Sequence, residues 1–166
     1  MRRSGRIADI YFRFSMAGRL ALGVAACALT LGVVSPALAD SRATVTTVLQ
    51  SQLEMITQQK ALNKCLAASP TRNTPCIRRN SLRLASMASR HIRMIEAVSD
   101  GTEAACVRTV ARQQIGFLRI WRDGAQALYR NERKKARRLF VSSLKISNAQ
   151  AKIQPQCFAD ILVGGG

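Results

Sequence analysis

The sequence has little of what enzymes use for proton transfer and nucleophilic attack. It contains one histidine, His91, and only nine acidic residues against 26 lysines and arginines. It has no G-x-S-x-G elbow, no H-E-x-x-H pair and no glycine-rich phosphate loop. The acids lie mostly at the ends of predicted helices, which leaves no obvious acid and base pair. We therefore expect no catalytic residues and a protein that is not an enzyme.

Metal and cofactor motifs are also missing. No two cysteines have the C-x-x-C spacing of zinc and redox sites, and the C-x-x-C-H motif of covalent haem attachment is absent. Met87, His91 and Met94 follow an i, i+4, i+7 pattern, which offers a soft ligand set suited to copper. The same positions lie in an apolar stripe, where methionine fills gaps in a core, and we favour that interpretation. We expect no metal and no cofactor.

Residues 1–39 predict a cleavable export signal. The apolar run 20–34 follows Arg19, and residues 37–39 (Ala-Leu-Ala) supply the small side chains that a signal peptidase requires. The predicted mature chain begins at Asp40 and forms one domain, residues 40–166.

Three alternatives concern this same segment. Met16 opens a more ordinary signal than Met1, which makes Met16 an alternative start. Cys27 lies in a sequence that resembles a lipidation site. Residues 20–39, if left uncleaved, are also long enough to form a membrane anchor.

The mature chain is strongly basic. Removing residues 1–39 takes away five of the 26 lysines and arginines and one of the nine acids, which leaves a formal charge of +13. A balance of this kind favours solubility and attraction to polyanions such as nucleic acid, anionic lipid or acidic polymers.

Four cysteines remain after the signal. An even number behind an export signal predicts two disulfides and an oxidising compartment, the periplasm or the cell exterior.

Helical spacing of apolar residues predicts helices over residues 43–66, 76–99, 102–130 and 132–153, with Thr102 as the cap of the third. The predicted fold class is all-α, an up-down-up-down four-helix bundle.

The bundle determines how the cysteines pair. Cys106 lies 25 residues before Asn131, where the chain is predicted to turn, and Cys157 lies 26 residues after it. At about 1.5 Å per residue both are roughly 38 Å from that turn, side by side. Cys65 and Cys76 flank the first link. Cross-pairing would join opposite ends of the bundle, so we predict Cys65–Cys76 and Cys106–Cys157.

The same topology puts the first and third links at one end of the bundle. There we predict an anion-binding surface, the basic pole, with Lys64 nearby. The basic pole consists of Arg72, Arg78, Arg79, Arg130, Arg133, Lys134, Lys135, Arg137 and Arg138. The simpler interpretation is a solvated helix tip. We favour binding because clustered like charges repel one another unless a partner neutralises them.

These observations predict an exported, non-catalytic binding protein. The expected partner is an anionic surface or an acidic protein, including peripheral contact with a membrane or lipopolysaccharide. We expect no nucleic-acid partner, since an exported protein meets little nucleic acid and no reading motif is present. The alternative is a carrier of a small ligand, copper or haem in the interior around His91. A further alternative is a structural protein of the envelope.

Overall fold

The computed structural model of the chain describes residues 36–163. The expectations about Met16, Cys27 and the apolar run 20–34 lie outside the described residues. Within them the chain forms four helices and no strand, which confirms the all-α prediction. The helices are α1 (Pro36–Ala68), α2 (Pro75–Ser99), α3 (Ala105–Tyr129) and α4 (Arg133–Leu162).

The four helices form a bundle in which each packs chiefly against its neighbours in sequence. The closest pairs are α1 with α2, α2 with α3, and α3 with α4, whereas α1 meets α3 and α4 to a smaller extent. Buried apolar side chains from every helix fill the interior, among them Val48, Leu84, Leu118 and Phe140. No helix of the described region is long and apolar enough to cross a membrane.

Along the contact between α1 and α2, residues early in α1 lie beside residues late in α2, and residues late in α1 lie beside residues early in α2. The Thr44 hydroxyl donates to the carbonyl oxygen of Val98 at 2.9 Å. Further along, Cys65 forms a disulfide with Cys76, and their Cα atoms are 5.7 Å apart. The first predicted cysteine pair is therefore confirmed.

The same order holds between α3 and α4. Cys106 forms a disulfide with Cys157, with 5.8 Å between the Cα atoms, which confirms the second predicted pair. Nearer the turn between these helices, Trp121 Nε1 donates to Ser143 Oγ at 3.0 Å. The Trp121 ring also packs on Phe140, with 4.4 Å between ring centroids.

Three helix ends differ from the sequence-based prediction. The first helix, α1, begins at Pro36 rather than at residue 43. Thr102 does not cap α3, because its buried hydroxyl lies 2.7 Å from Thr44 Oγ1 instead; the N-cap residue is Ala104, which makes no side-chain cap. The α4 helix continues through Pro155 to Leu162. Proline costs a helix one hydrogen bond, but the buried Cys157 and Phe158 beyond it pack into the core and keep the chain helical.

Candidate functional site

The two links that carry the basic pole are in direct contact. Asn73, in the first link, donates from Nδ2 to the carbonyl oxygens of Leu128 and Tyr129, each at 3.3 Å. Asn131 forms the other link with a φ of 63°, a left-handed conformation that asparagine tolerates. The residues that the sequence assigned to one end of the bundle are thus brought together.

Arg133, at the start of α4, forms hydrogen bonds to the first link. Its Nη1 donates to the carbonyl oxygen of Pro70 and its Nη2 to that of Arg72, both at 2.5 Å. The side chain is half-buried, and its Nε has no hydrogen-bond partner among the described residues. A planar guanidinium can hold two carbonyl groups at once, whereas a lysine cannot form this fork. Arg133 was predicted to bind anions, and its geometry makes it a positioning residue for the first link.

Arg78 is held by an aromatic ring. Its guanidinium carbon lies 5.0 Å from the centroid of the Tyr129 ring, and its Nη2 lies 3.5 Å from the Tyr129 hydroxyl. A cation over an aromatic face is attracted by the ring electrons, and this contact limits how far the side chain moves. It adds another tie between α2 and the end of α3.

The rest of the basic pole faces solvent. Lys135 has Glu132 as a partner, with 3.3 Å between Nζ and Oε2. The other exposed cations have no carboxylate within ion-pair distance among residues 36–163. They are Arg72, Arg79, Arg130, Lys134, Arg137 and Arg138. Their positive charge is therefore available to a partner.

Two helix N-termini add to this charge. Both α2 and α4 begin at the basic pole, and neither has an acidic residue in its first turn. Their first turns instead carry Arg78, on α2, and Arg133, Lys134 and Lys135, on α4. The N-terminal end of a helix has a partial positive charge, so each of these cations costs about 0.3–1 kcal/mol of stability. A bound anion would relieve that cost.

Several acidic residues lie at the other end of the bundle. Asp100 and Glu103 lie in the link between α2 and α3, and Asp160 lies near the end of α4. Since α2 is 25 residues long, its two ends are separated by roughly 37 Å. Arg42 and Arg108 lie at this same end, where they donate to the carbonyl oxygens of Ile161 and Thr102, so its charge is more nearly balanced than that of the basic pole.

His91 is buried and paired with an acid that the sequence analysis did not single out. Its Nε2 lies 3.0 Å from Oε2 of Glu54, on α1, and the carboxylate also contacts Arg90. The hydrogen bond with His91 is the largest cause of a lowered pKa for Glu54, against a smaller opposing effect of burial. The disulfide register could have revealed this pair, because Cys65 with Cys76 places α1 residues near 54 opposite α2 residues near 90.

The proposed soft ligand set does not converge. Met87 and His91 are buried, but Met94 lies at the surface with 37% of its area exposed. A metal at His91 Nε2 would have to displace Glu54, and His91 Nδ1 is buried with no hydrogen-bond partner among the described residues. Within that part of the chain, His, Cys, Asp and Glu side chains form no group of three that could hold a metal ion.

Buried amides connect α1 to α3 and α4. Gln114 Nε2 donates to Ser51 Oγ, and its Oε1 accepts from Gln150, both at 2.9 Å. Beside them Gln52 and Gln154 exchange hydrogen bonds of 2.9 and 3.0 Å. The two pairs adjoin, since Gln52 Nε2 also lies 3.5 Å from Gln114 Oε1. These groups are satisfied and tie the helices together.

Comparison of the chain with protein-family models, curated proteins and solved structures yields no match. The functional assignment therefore rests on the chemistry of the basic pole and on the contacts that build it.

Proposed function

We propose that the protein is exported and acts by binding, with the basic pole as its contact for an anionic component of the cell envelope. One observation carries the proposal. Arg133 and Asn73 lock two separate links together, so that cations from both form one surface instead of two mobile loops. Holding like charges close together is unfavourable unless a partner of opposite charge is bound.

An up-down-up-down course of the helices is part of this proposal. It is supported by contacts in which the residue numbers of one helix rise as those of its neighbour fall. Thr44 with Val98 and Cys65 with Cys76 show this between α1 and α2. Cys106 with Cys157 and Trp121 with Ser143 do so between α3 and α4. In that course α2 and α4 both start at the basic pole.

Export to the periplasm or the cell exterior also belongs to the proposal. The two disulfides are compatible with an oxidising compartment, and residues 20–39 have the pattern of an export signal. In such a compartment the abundant polyanions are lipid headgroups and lipopolysaccharide phosphates. Acidic proteins are the other class of partner.

The chemistry of the basic pole favours phosphate. Five of its six exposed, unpaired cations are arginines, whose guanidinium groups bind phosphate oxygens in pairs. Among residues 36–163 no buried carboxylate lies beside these cations to act as a base, and binding is the activity that the residues of this surface support.

The test uses three exposed cations of the basic pole. The variant Lys134→Gln, Arg137→Gln, Arg138→Gln leaves the positioning residue Arg133 intact. Its matched control, Arg112→Gln, Lys145→Gln, Lys152→Gln, removes the same charge from exposed positions elsewhere. Oxidised protein is titrated against anionic vesicles, neutral vesicles, lipopolysaccharide and an acidic protein, at several salt concentrations.

Since each cation near an anionic surface contributes about 1 kcal/mol, the pole variant should bind about 100-fold more weakly. Binding should also fall with salt, because the screening length drops from about 10 Å at 0.1 M to about 3 Å at 1 M. Equal losses in the pole variant and its control would mean that net charge alone attracts the partner, and the proposal would fail.

A further inference from the structure

A row of arginines follows the outer face of α2. Arg79, Arg83, Arg90 and Arg93 are all exposed, and their spacings are four, seven and three residues. With a rotation of about 100° per residue, all four lie within about 40° of one line along the helix. From first to last the row spans 14 residues, or about 21 Å. It starts at the basic pole, to which Arg79 also belongs.

The composition of α2 is unusual for an exposed helix face. The helix contains five arginines, no lysine and one acid, Glu96. Exposed faces usually mix both signs, because opposite charges four residues apart stabilise a helix. Glu96 does not neutralise the row, since its Oε1 accepts from Arg119 of α3 at 2.8 Å.

Most of the row is also free of carboxylates on other helices. Only Arg90 has such a partner, Glu54 of α1. Among residues 36–163, Arg79, Arg83 and Arg93 lie within ion-pair distance of no carboxylate. Helix propensity does not explain the choice of residue, because lysine and arginine are about equally good helix formers. Arginine differs in its capacity to bind phosphate in pairs.

Apolar side chains flank the row on both sides. Leu82 is 48% exposed and Met94 is 37% exposed. By helical rotation they lie about 60° to opposite sides of the arginine line. Cations with exposed apolar side chains beside them fit the boundary where headgroup phosphates meet acyl chains. A soluble polyanion without apolar groups, such as polyphosphate, would make no use of Leu82 and Met94.

We propose that this arginine row is a second binding surface, which lays the side of the bundle against an anionic lipid membrane. The arginines bind headgroup phosphates, while Leu82 and Met94 enter the apolar boundary. The inference extends the proposed function, because it shares the anionic partner but rests on residues that, apart from Arg79, lie outside the basic pole. Because separate variants test the two surfaces, either proposal can be overturned while the other is supported.

The row is tested with Arg83→Gln, Arg93→Gln in the full, oxidised protein. This variant spares Arg79, which belongs to the basic pole, and the paired Arg90. The control is Lys145→Gln, Lys152→Gln, which removes equal charge from exposed positions of α4. The probes are vesicles of phosphatidylglycerol mixed with phosphatidylcholine, and soluble polyphosphate and polyglutamate. Circular dichroism verifies that each variant remains helical.

We expect the row variant to bind the vesicles about 10- to 30-fold more weakly, and the control to bind within about twofold of the unchanged protein. Equal loss in both variants would overturn the proposal. The proposal would also be overturned if the row variant lost as much affinity for polyphosphate or polyglutamate as for vesicles. The row would then bind a soluble polyanion or an acidic protein.

A second pair of variants tests the lipid contact by itself. Leu82→Ser removes an apolar side chain beside the row, and Val141→Ser removes a similarly exposed one, 41%, from α4. Leu82→Ser should weaken vesicle binding several-fold and leave binding of polyphosphate unchanged, whereas Val141→Ser should change neither. Vesicle binding that is insensitive to Leu82→Ser would overturn the membrane assignment.

Discussion

Arg133 donates a hydrogen bond from Nη2 to the carbonyl oxygen of Arg72, 2.5 Å away, and so joins α4 to the link between α1 and α2. Two residues of the same charge are thereby held close through the backbone of one of them. The Arg133 guanidinium therefore stabilises the fold and is not free to bind an anion, whereas the Arg72 side chain remains exposed. The basic pole depends on this division of roles between its arginines.

The first prediction concerns that contact. Arg133→Gln should loosen residues 69–74 and lower the free energy of unfolding by about 1 kcal/mol, because the hydrogen bonds to Pro70 and Arg72 are lost. Amide hydrogen exchange should rise across that segment. Arg133→Lys should not restore protection, since an ammonium group cannot hold two carbonyls in a fork. The control is Arg137→Gln, an exposed cation on the same helix. Equal exchange in the two glutamine variants would remove the positioning role from Arg133.

The second prediction separates stability from binding at the start of α4. Lys134 is exposed in the first turn of a helix that has no acidic residue there. Lys134→Glu should raise the free energy of unfolding by about 0.5–1 kcal/mol, because a negative charge suits the helix N-terminus, and it should weaken binding to anionic vesicles. Lys145→Glu, in the middle of α4, should change stability by less than about 0.5 kcal/mol. Urea denaturation measures the stability of both variants, and titration with anionic vesicles measures their binding. If Lys134→Glu lowered the free energy of unfolding, Lys134 would be a residue that stabilises the fold, and the prediction would be wrong.

Much of this fold follows from the sequence. The four helices and both cysteine pairs were predictable because helical periodicity and a fixed rise per residue determine which residues lie side by side. The ends of helices were less predictable. Thr102 was expected to cap α3 from its position in the chain, but a hydroxyl on another helix, that of Thr44, competes for it. The fourth helix was predicted to end at residue 153, but buried residues beyond Pro155 keep the chain helical to Leu162.

The site was predictable at a coarser level. Charge counting located the basic pole, because it needs only the links and the order of the helices. The roles of individual residues depend on the geometry of their hydrogen bonds. Nothing in the composition of residues 130–138 distinguishes Arg133, which holds carbonyl groups, from Arg137, which faces solvent. The Glu54 partner of His91 was missed for a related reason, since a single acid in a helix reads as an ordinary surface residue.

The third prediction follows from Glu54. Its pKa in the folded protein is lowered from the usual 4.5, chiefly by the hydrogen bond with His91. The folded state therefore binds this proton less readily than the unfolded state. The resulting stability is present above pH 4.5 and is lost as the pH falls through the folded pKa.

Urea denaturation at a series of pH values from about 6 to about 3 checks this expectation. Glu54→Gln keeps a hydrogen-bonding group beside His91 but cannot ionise. The unchanged protein should lose more stability over that range than Glu54→Gln does, so the two curves should converge at acid pH. Parallel curves would mean that Glu54 adds nothing to the pH dependence.

The fourth prediction uses two glycines of α3 as a matched pair. A Cβ atom added at Gly124 would lie 2.9 Å from both Cδ1 and Cζ of Phe140, and closer still to Cε1. The ring cannot move away easily, since it is buried and also packs on Trp121. Gly124→Ala should therefore lower the free energy of unfolding by about 1–3 kcal/mol.

Gly116 provides the opposite expectation on the same helix. Its added Cβ would meet Ile146 Cδ1 at 3.5 Å, an ordinary contact, and the residue is only partly buried. Gly116→Ala should raise the free energy of unfolding by about 0.5–1 kcal/mol, because alanine loses less backbone freedom than glycine when the helix forms. Urea denaturation of the oxidised variants gives both values. If Gly124→Ala were as stable as Gly116→Ala, the close packing of α3 on Phe140 would be wrong, and with it the arrangement that puts the start of α4 beside the end of α3.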